Sequence, residues 1–397
     1  MRCYAPIARY DKRRPLLVFA FNFYPQRGGI QTYSYELCRH LHKLGYTLVV
    51  LARDWPGAAE FDAQVPYKVI RMKGVGVRFL RLLPMMFYFA AAVLRHRIRL
   101  VHCINWIPCG AVARLFRHVL FYKYVVTCHG AEITMAARSF FRQRAMVATL
   151  RKAAWLIAGN NHVREALNRF PLSRTPVSVI GFGVDEETFR PGLDAEFLRV
   201  KYGARRKKVL LTVAELRPRK GVDTVLGALK ILGERARDIV YLVVGDGPDR
   251  SRLTQMAQDY GLSEQVIFTG FVSDRDLPYH YALSDIYIMP NRGEANGDVE
   301  GFGITFIEAQ ASEKPVIGGK SGGVVDSVAD GKTGYLVDPL DEAAVATAIL
   351  RLLDEPETAQ AFAKNGRQRV LSLFSWNMIA GKTEMVYDKI FEPKRRR

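Results

Sequence analysis

Pro15-Leu-Leu-Val-Phe-Ala-Phe-Asn22 is an apolar run that leads into Phe23-Tyr-Pro-Gln-Arg-Gly28-Gly29-Ile30. The segment Tyr33 to Leu44 then repeats apolar residues at helical spacing and is closed by Gly45, and Thr47 to Ala52 is apolar again. Continuous apolar runs are what a strand buried on both faces requires, so this opening predicts strand, glycine loop, helix and strand, the first β-α-β unit of a parallel sheet. Further buried strands are expected at Arg99 to Cys103, Tyr124 to Cys128, Leu156 to Gly159 and Val177 to Ile180.

A second alternating series starts at Lys208 to Ala214. It continues with helix Val222 to Leu232, strand Ile239 to Val244, helix Arg250 to Tyr260, strand Val266 to Gly270 and strand Ile286 to Met289. A helix opened by Ile304, a strand Pro315 to Gly318 and a helix Glu342 to Leu353 complete it. The fold class expected is α/β, with two Rossmann-like doubly wound domains, 1–190 and 191–375, facing a central cleft. Arg190 to Lys207, with Pro191, Gly192 and a run of bases, reads as the linker between them.

Composition narrows the function. The 397 residues carry a net charge of +19, and residues 1–190 alone hold 29 Lys and Arg against 10 Asp and Glu. The whole excess therefore lies in the first half, which favours an anionic partner there, either nucleic acid or an acidic membrane surface. No stacking aromatics are interleaved with the basic residues, which disfavours nucleic acid. Cys3, Cys38, Cys103, Cys109 and Cys128 are scattered without metal-ligand spacing, so neither a disulfide framework nor zinc is indicated, and a reducing cytosol is expected. The basic start lacks the apolar core of a secretory signal. Leu82 to Leu94 is too short to span a bilayer. Flanked by Arg78, Arg81, Arg95, Arg97 and Arg99, it is expected to dip an apolar face into a membrane interface.

The chemistry concentrates in Asp298-Val-Glu300-Gly-Phe-Gly-Ile-Thr-Phe-Ile-Glu308. Two carboxylates that can accept from sugar hydroxyls bracket a Gly-x-Gly turn and a helix start. The backbone N–H groups of Phe302, Gly303, Ile304 and Thr305 there suit a phosphate. Polyol and phosphate together point to a sugar nucleotide. Gly28 and Gly29 offer an unhindered loop for a second phosphate. Arg217, Arg219 and Lys220 follow the first strand of the second series, where cations can hold a diphosphate. Gly245 shapes a turn at the next strand's end, and His129, before Gly130, can donate to a sugar hydroxyl or a carbonyl oxygen. Asp274-Arg-Asp276 has a metal-binding look but follows Ser273 at a helix start, so no metal and no cofactor are assigned.

Taken in order, Gly28-Gly29-Ile30, His129-Gly130, Phe182-Gly-Val-Asp185, Arg219-Lys220-Gly221, Gly245-Asp-Gly247, Gly270-Phe-Val272, Glu300-x7-Glu308, Gly322-Gly323 and Asp330-Gly-Lys-Thr-Gly334 resemble the family-four retaining glycosyltransferases of the GT-B fold. The likeness runs from Leu16 to Tyr387. The wording Gly-Gly-Ile-Gln-Thr-Tyr and Gly-Asp-Val-Glu-Gly-Phe-Gly resembles that of phosphatidylinositol mannosyltransferases of the PimB type and relatives that build lipid-linked or polysaccharide glycans.

The resemblance implies retaining, metal-independent transfer of a hexose, mannose favoured, from a GDP- or UDP-linked donor. The acceptor would be a lipid-linked or anionic glycan at the cytosolic membrane face. It further implies that Glu308 binds the ribose, Glu300 the transferred sugar, and Phe302 to Thr305 sugar hydroxyls and phosphate. Lys220 would hold the leaving diphosphate, His129 would orient the sugar or accept from it near the anomeric centre, Gly28 and Gly29 would meet acceptor phosphate, and Phe271 and Val272 would border the base. The helix from Trp376 would cross back onto the first domain. One departure stands out: Glu215 occupies a position usually held by a diphosphate-binding arginine, so Arg217 or Arg219 is expected to substitute for it. Phe182 and Asn105 also replace more usual Asn and His. Rival readings are a sugar-nucleotide epimerase of the same fold, and a non-catalytic binder of sugar nucleotide or nucleic acid.

Overall fold

The structure, a computed structural model, describes residues 9–26, 28–75, 82–172, 174–294 and 299–392. Two compact units result. One runs to Phe182 and includes the segment from Trp376, and the other is Gly183–Ser375.

The first unit is built on a seven-stranded parallel sheet in the order β3-β2-β1-β4-β5-β6-β7. The strands are β1 Leu16–Phe19, β2 Leu48–Arg53, β3 Lys68–Met72, β4 Leu100–Cys103, β5 Lys123–Cys128, β6 Trp155–Ala158 and β7 Val177–Val179. β1 pairs with both β2 and β4, so the order reverses at β1, and the loop after it opens at a topological switch point. β3 lies at the sheet edge and is interrupted by Lys68 and Arg71, which is why no continuous apolar run announces it.

Two apolar layers clothe this sheet. One packs the helix Leu82–Arg95 against it through Met85, Phe89, Ala92 and Val93, and leaves Leu83, Phe87 and Leu94 exposed. The segment is thus an ordinary packed helix on one face and an apolar surface on the other; Arg78 and Arg81 lie outside the described residues. No described helix is long and apolar enough to cross a membrane. The other layer joins the helix Gly29–Lys43 to the C-terminal helix Trp376–Phe391, with Tyr33, Leu37 and Leu41 beside Trp376, Ile379 and Tyr387. That last helix is sealed by polar contacts. The Tyr387 hydroxyl lies 2.6 Å from His102 Nδ1, whose Nε2 lies 2.7 Å from Thr127 Oγ1. Burial, with His129 nearby, pushes His102 down to about 3, so it is neutral. Tyr387→Phe leaves a buried ring nitrogen unpaired, and urea unfolding should show a loss of about 1–3 kcal/mol.

The second unit holds a six-stranded parallel sheet ordered β10-β9-β8-β11-β12-β13. Its strands are β8 Lys208–Val213, β9 Ile239–Val244, β10 Val266–Gly270, β11 Ile286–Met289, β12 Val316–Gly319 and β13 Gly334–Val337. The order again reverses at the first strand, between β9 and β11.

The boundary differs from the expected 190/191 division. Val184 N donates to Phe374 O at 2.9 Å, the Phe189 ring meets Tyr281 edge-on at 5.5 Å, and Arg367 donates to the carbonyls of Glu186 and Phe189. These contacts fasten 183–190 to the second unit. The expected linker is also structured: Glu196–Lys201 is a helix, and Ala195 and Leu198 enter the second core. Pro191 and Gly192 just before that short helix, and Glu196, Arg199 and Lys201 within it, hid its apolar anchors. The helix Pro356–Arg369, too polar to register by periodicity, completes the unit.

Candidate functional site

The second unit gathers most of the residues singled out by sequence. Strand β8 ends at Val213, and the chain then makes a short 3-10 turn at Pro218–Lys220 before the helix Val222–Leu232. The turn is pinned by Arg292, whose N–H donates to Arg219 O at 2.8 Å and whose guanidinium grips Asp223 at 2.7 Å. Arg219 and Lys220 are thereby presented side by side. Both reach the same oxygen of Glu300, with Arg219 Nη1 at 2.8 Å from Oε2 and Lys220 Nζ in direct contact with it. Burial opposes ionisation of Glu300, yet Lys220 and Arg219 together hold its carboxyl below the usual carboxylate range. Two cations focused on one carboxylate form a cluster that another anion can share.

Glu300 leads directly into the helix Ile304–Ala311. Gly303 caps that helix at φ 78°, in the left-handed region that a side chain would strain, and it offers no side-chain acceptor. The first-turn N–H groups of Ile304 and Thr305 therefore meet no capping side chain, the arrangement that favours an anion. Phe302 is buried edge-on against Phe374 at 5.5 Å, and Gly323 N donates to Glu300 O at 2.9 Å, so the turn is held from two sides. Asp298 lies outside the described residues.

Glu308 lies one turn along this helix, where the Tyr281 hydroxyl donates to Oε2 at 2.6 Å. Burial raises its carboxyl to about 7; the Tyr281 hydrogen bond opposes the shift and Asp274 adds to it. In the same row the Tyr287 hydroxyl meets Thr305 Oγ1 at 2.6 Å. Tyr281 and Tyr287 orient two of the site residues, and sequence reasoning missed both. Neither has a local motif, and each finds its partner only when the helix Leu277–Leu283 and strand β11 pack against Ile304–Ala311.

The remaining second-unit residues fall into two groups. Gly245, just after β9, donates its N–H to Gly270 O at 2.9 Å and ties the carboxyl ends of β9 and β10 together. Phe271 and Val272 follow there, Phe271 being 74% exposed and Val272 packed on the core. Arg217, by contrast, turns to Glu215, with Nη2 at 2.8 Å from Oε1 on an exposed surface. The Arg217 hydrogen bond is the main cause that holds Glu215 below the usual range. Of the two expected substitutes for the missing arginine, the structure places Arg219 in the cluster and Arg217 outside it. Ser273 Oγ caps Asp276 N at 3.2 Å, the helix-start arrangement expected of Asp274-Arg-Asp276. No group of metal-ligating side chains occurs among the described residues.

The first unit brings Gly28 and His129 to the carboxyl ends of β1 and β5. Gly28 is the N-cap of Gly29–Lys43 at φ 149°, a backbone conformation that side chains rarely adopt and that favours glycine. His129 is buried, with the rings of Tyr33 at 5.2 Å and Phe182 at 5.6 Å. Its Nε2 lies 2.9 Å from Ile104 O and must carry the proton to donate there. Nδ1 is buried with no hydrogen-bond partner among the described residues. Burial lowers the His129 pKa, against the opposing effects of Glu132 and Ile104 O, so the ring is neutral at pH 7. The proton on Nε2 is thus engaged with a carbonyl oxygen, that of Ile104, and Nδ1 can only accept. Asn105 accepts from Cys109 N at 3.4 Å and serves as a helix cap.

Residues 27–188 match the family described as Glycosyltransferase Family 4, and residues 194–369 match Glycosyl transferases group 1. The GDP-mannose-dependent alpha-(1-6)-phosphatidylinositol monomannoside mannosyltransferase of Mycolicibacterium smegmatis is 32% identical over 382 residues, covering 91% of this chain and 95% of its own. The protein of the same description from Mycobacterium tuberculosis strain H37Rv is 31% identical, over 92% of this chain and 96% of its own. Among solved structures, sucrose-phosphate synthase from Thermosynechococcus elongatus has a TM-score of 0.78 at 25% identity, over 96% of this chain and 99% of its own. Anabaena HepE in complex with UDP has a TM-score of 0.77 at 20% identity, over 95% and 100%, a likeness of fold alone. With two parallel-sheet units and relatives matched over nearly their full length, the chain belongs to the family-four glycosyltransferases of the GT-B fold and resembles the PimB-type mannosyltransferases.

Proposed function

We propose that this glycosyltransferase moves a mannosyl residue from GDP-mannose, with retention of configuration and without a metal, onto a phosphatidylinositol mannoside or a similar lipid-linked acceptor. The observation that carries the reading is the Arg219, Lys220 and Glu300 cluster beside a helix start with no capping side chain, in a chain matched over 91% of its length by a GDP-mannose-dependent relative. The diphosphate competes with Glu300 for the two cations. As it binds, Lys220 and Arg219 turn to phosphate and the Glu300 carboxylate becomes available to the sugar hydroxyls.

Charge on the leaving diphosphate grows as the glycosidic bond breaks, so Lys220, Arg219 and the N–H groups of Gly303 to Thr305 stabilise the transition state more than the ground state. Glu308 takes the ribose, Phe271 and Val272 border the base, and Gly245 lets the nucleotide approach the strand ends. Gly28 and Gly29 meet acceptor phosphate, and His129 Nδ1 accepts from a hydroxyl. The acceptor attacks on the face the diphosphate leaves, and the departing phosphate oxygen takes its proton. The exposed apolar face of Leu82–Arg95 supports work at a membrane surface, proposed as the cytosolic one.

NMR of the product should show the α-anomer formed from α-linked donor; an inverted product overturns retention. Thermal stabilisation should rank GDP above UDP and ADP. Glu215→Ala should change the KM for GDP-mannose less than about threefold, because an exposed ion pair is worth about 0.2–1 kcal/mol. A larger gain would show that Arg217, once released, enters the site.

A further inference from the structure

The first unit carries a second concentration of charge at the opposite end of its sheet from His129. A cavity of about 910 Å³ is lined by Arg114, Arg117, His118, Arg151, Lys152 and Arg174 and by no carboxylate. An adjoining groove of about 600 Å³ shares three of the arginines and reaches Lys123, which opens β5, and Trp155, which opens β6. Cations at helix ends are ordinary, since they suit the last carbonyls, and Arg117 does donate to Lys152 O at 2.7 Å. Convergence is not ordinary. The end of Ala111–Phe116, the end of Phe140–Leu150 and the loop before β7 bring five permanent cations around one cavity. None of the five forms an ion pair among the described residues, and Arg114 Nε is buried there without an acceptor. Like charges gathered in this way repel one another, and a shared anion offsets that cost.

The surroundings indicate what bears the anion. Leu115 lines the cavity and is 54% exposed, and Val119 and Phe121 beside it are 70% and 73% exposed. The neighbouring helix Leu82–Arg95 packs on Ala111–Phe116 and exposes Leu83, Phe87 and Leu94. Apolar side chains interleaved with cations fit the interface of an acidic bilayer better than a free ion or a nucleic acid.

We propose that this cavity is a headgroup site for the phosphate of an acidic phospholipid, and that it is distinct from the acceptor site. β5 separates Lys123 from His129 by six residues, or about 20 Å, so a lipid phosphate held here does not belong to the molecule being glycosylated. The bound lipid anchors the enzyme while the acceptor is handled at the other end of the sheet. This deepens the reading of a lipid-directed transferase and rests on it.

The test is co-sedimentation of the full chain with vesicles of phosphatidylcholine alone or equimolar with phosphatidylinositol. Arg151 and Arg174 are exposed, so Arg151→Glu with Arg174→Glu should fold. At about 1 kcal/mol per cation, the double variant should bind phosphatidylinositol vesicles at least about tenfold more weakly. Mannosyl transfer from GDP-mannose to a water-soluble acceptor analogue should stay at the wild-type rate; loss of transfer in the wild type with vesicle binding intact would instead sink the functional reading alone. Arg205→Glu with Arg206→Glu, exposed in the second unit, removes the same charge and should leave vesicle binding intact. Equal loss in both double variants would mean nonspecific attraction and overturn the site. Unchanged vesicle binding in the first would overturn it as well. So would loss confined to inorganic phosphate or to tRNA, which would assign the cavity to a free anion or to nucleic acid. If the charge reversal unfolds the protein, Arg151→Gln with Arg174→Gln should give a smaller loss in the same direction.

Discussion

Lys220→Ala should lower kcat for mannosyl transfer by about 10²–10³-fold, the usual consequence of removing a group that stabilises developing charge. Lys220 is nearly buried and shares one oxygen of Glu300 with Arg219, so the variant keeps a cation on that carboxylate and should fold. What it loses is the point charge nearest to the departing phosphate. Because the bond-breaking state carries more charge there than the bound donor does, kcat should fall much further than KM rises. Lys220→Arg should recover only part of the rate, since a planar guanidinium does not occupy the position of a compact ammonium. A kcat for the alanine variant within about threefold of wild type would remove Lys220 from the leaving-group role.

Glu308→Gln should produce two effects of opposite sign. In the free protein, burial raises the Glu308 carboxyl from 4.5 to about 7. The folded state therefore holds this proton more tightly than the unfolded chain does. The stability linked to it is complete below about pH 4.5 and is lost as pH rises through about 7. Glutamine is isosteric, can still accept from Tyr281 and never ionises. At pH 8 the variant should be more stable than wild type by about 3 kcal/mol, and the difference should vanish in acid. The same change removes a charged acceptor from the ribose hydroxyls, so kcat/KM for GDP-mannose should fall by about 10–100-fold. Parallel loss of stability and activity would show that Glu308 supports the fold and not the donor. Wild-type kcat/KM should itself rise with pH through about 7 as the carboxylate forms.

The sequence carried the architecture because buried parallel strands are uninterrupted apolar runs: Ile239–Val244, Val266–Gly270 and Ile286–Met289 have the bounds that the runs imply, and the helix Val222–Leu232 has those of its helical spacing. Spacing also carried the turn and helix start at Glu300 to Glu308, since a Gly-x-Gly turn and its helix are local in the chain. Elements stabilised by distant contacts escaped it. β3 is broken up by Lys68 and Arg71 at the sheet edge, and residues 183–190 join the second unit through Phe374, Tyr281 and Arg367, far away in sequence.

By itself, then, the order of residues determined that there are two doubly wound sheets and which loops bear acids, cations and glycines. Tertiary structure alone decided which of those groups meet. Arg219 joins Glu300 while Arg217 is drawn off by Glu215, Tyr281 holds a Glu308 raised by burial, and the one N–H of His129 donates to Ile104 O. The reason is physical. Strand and helix formation depends on periodicity along the chain, whereas ion pairing, burial and tautomer depend on neighbours that only the packed units bring together.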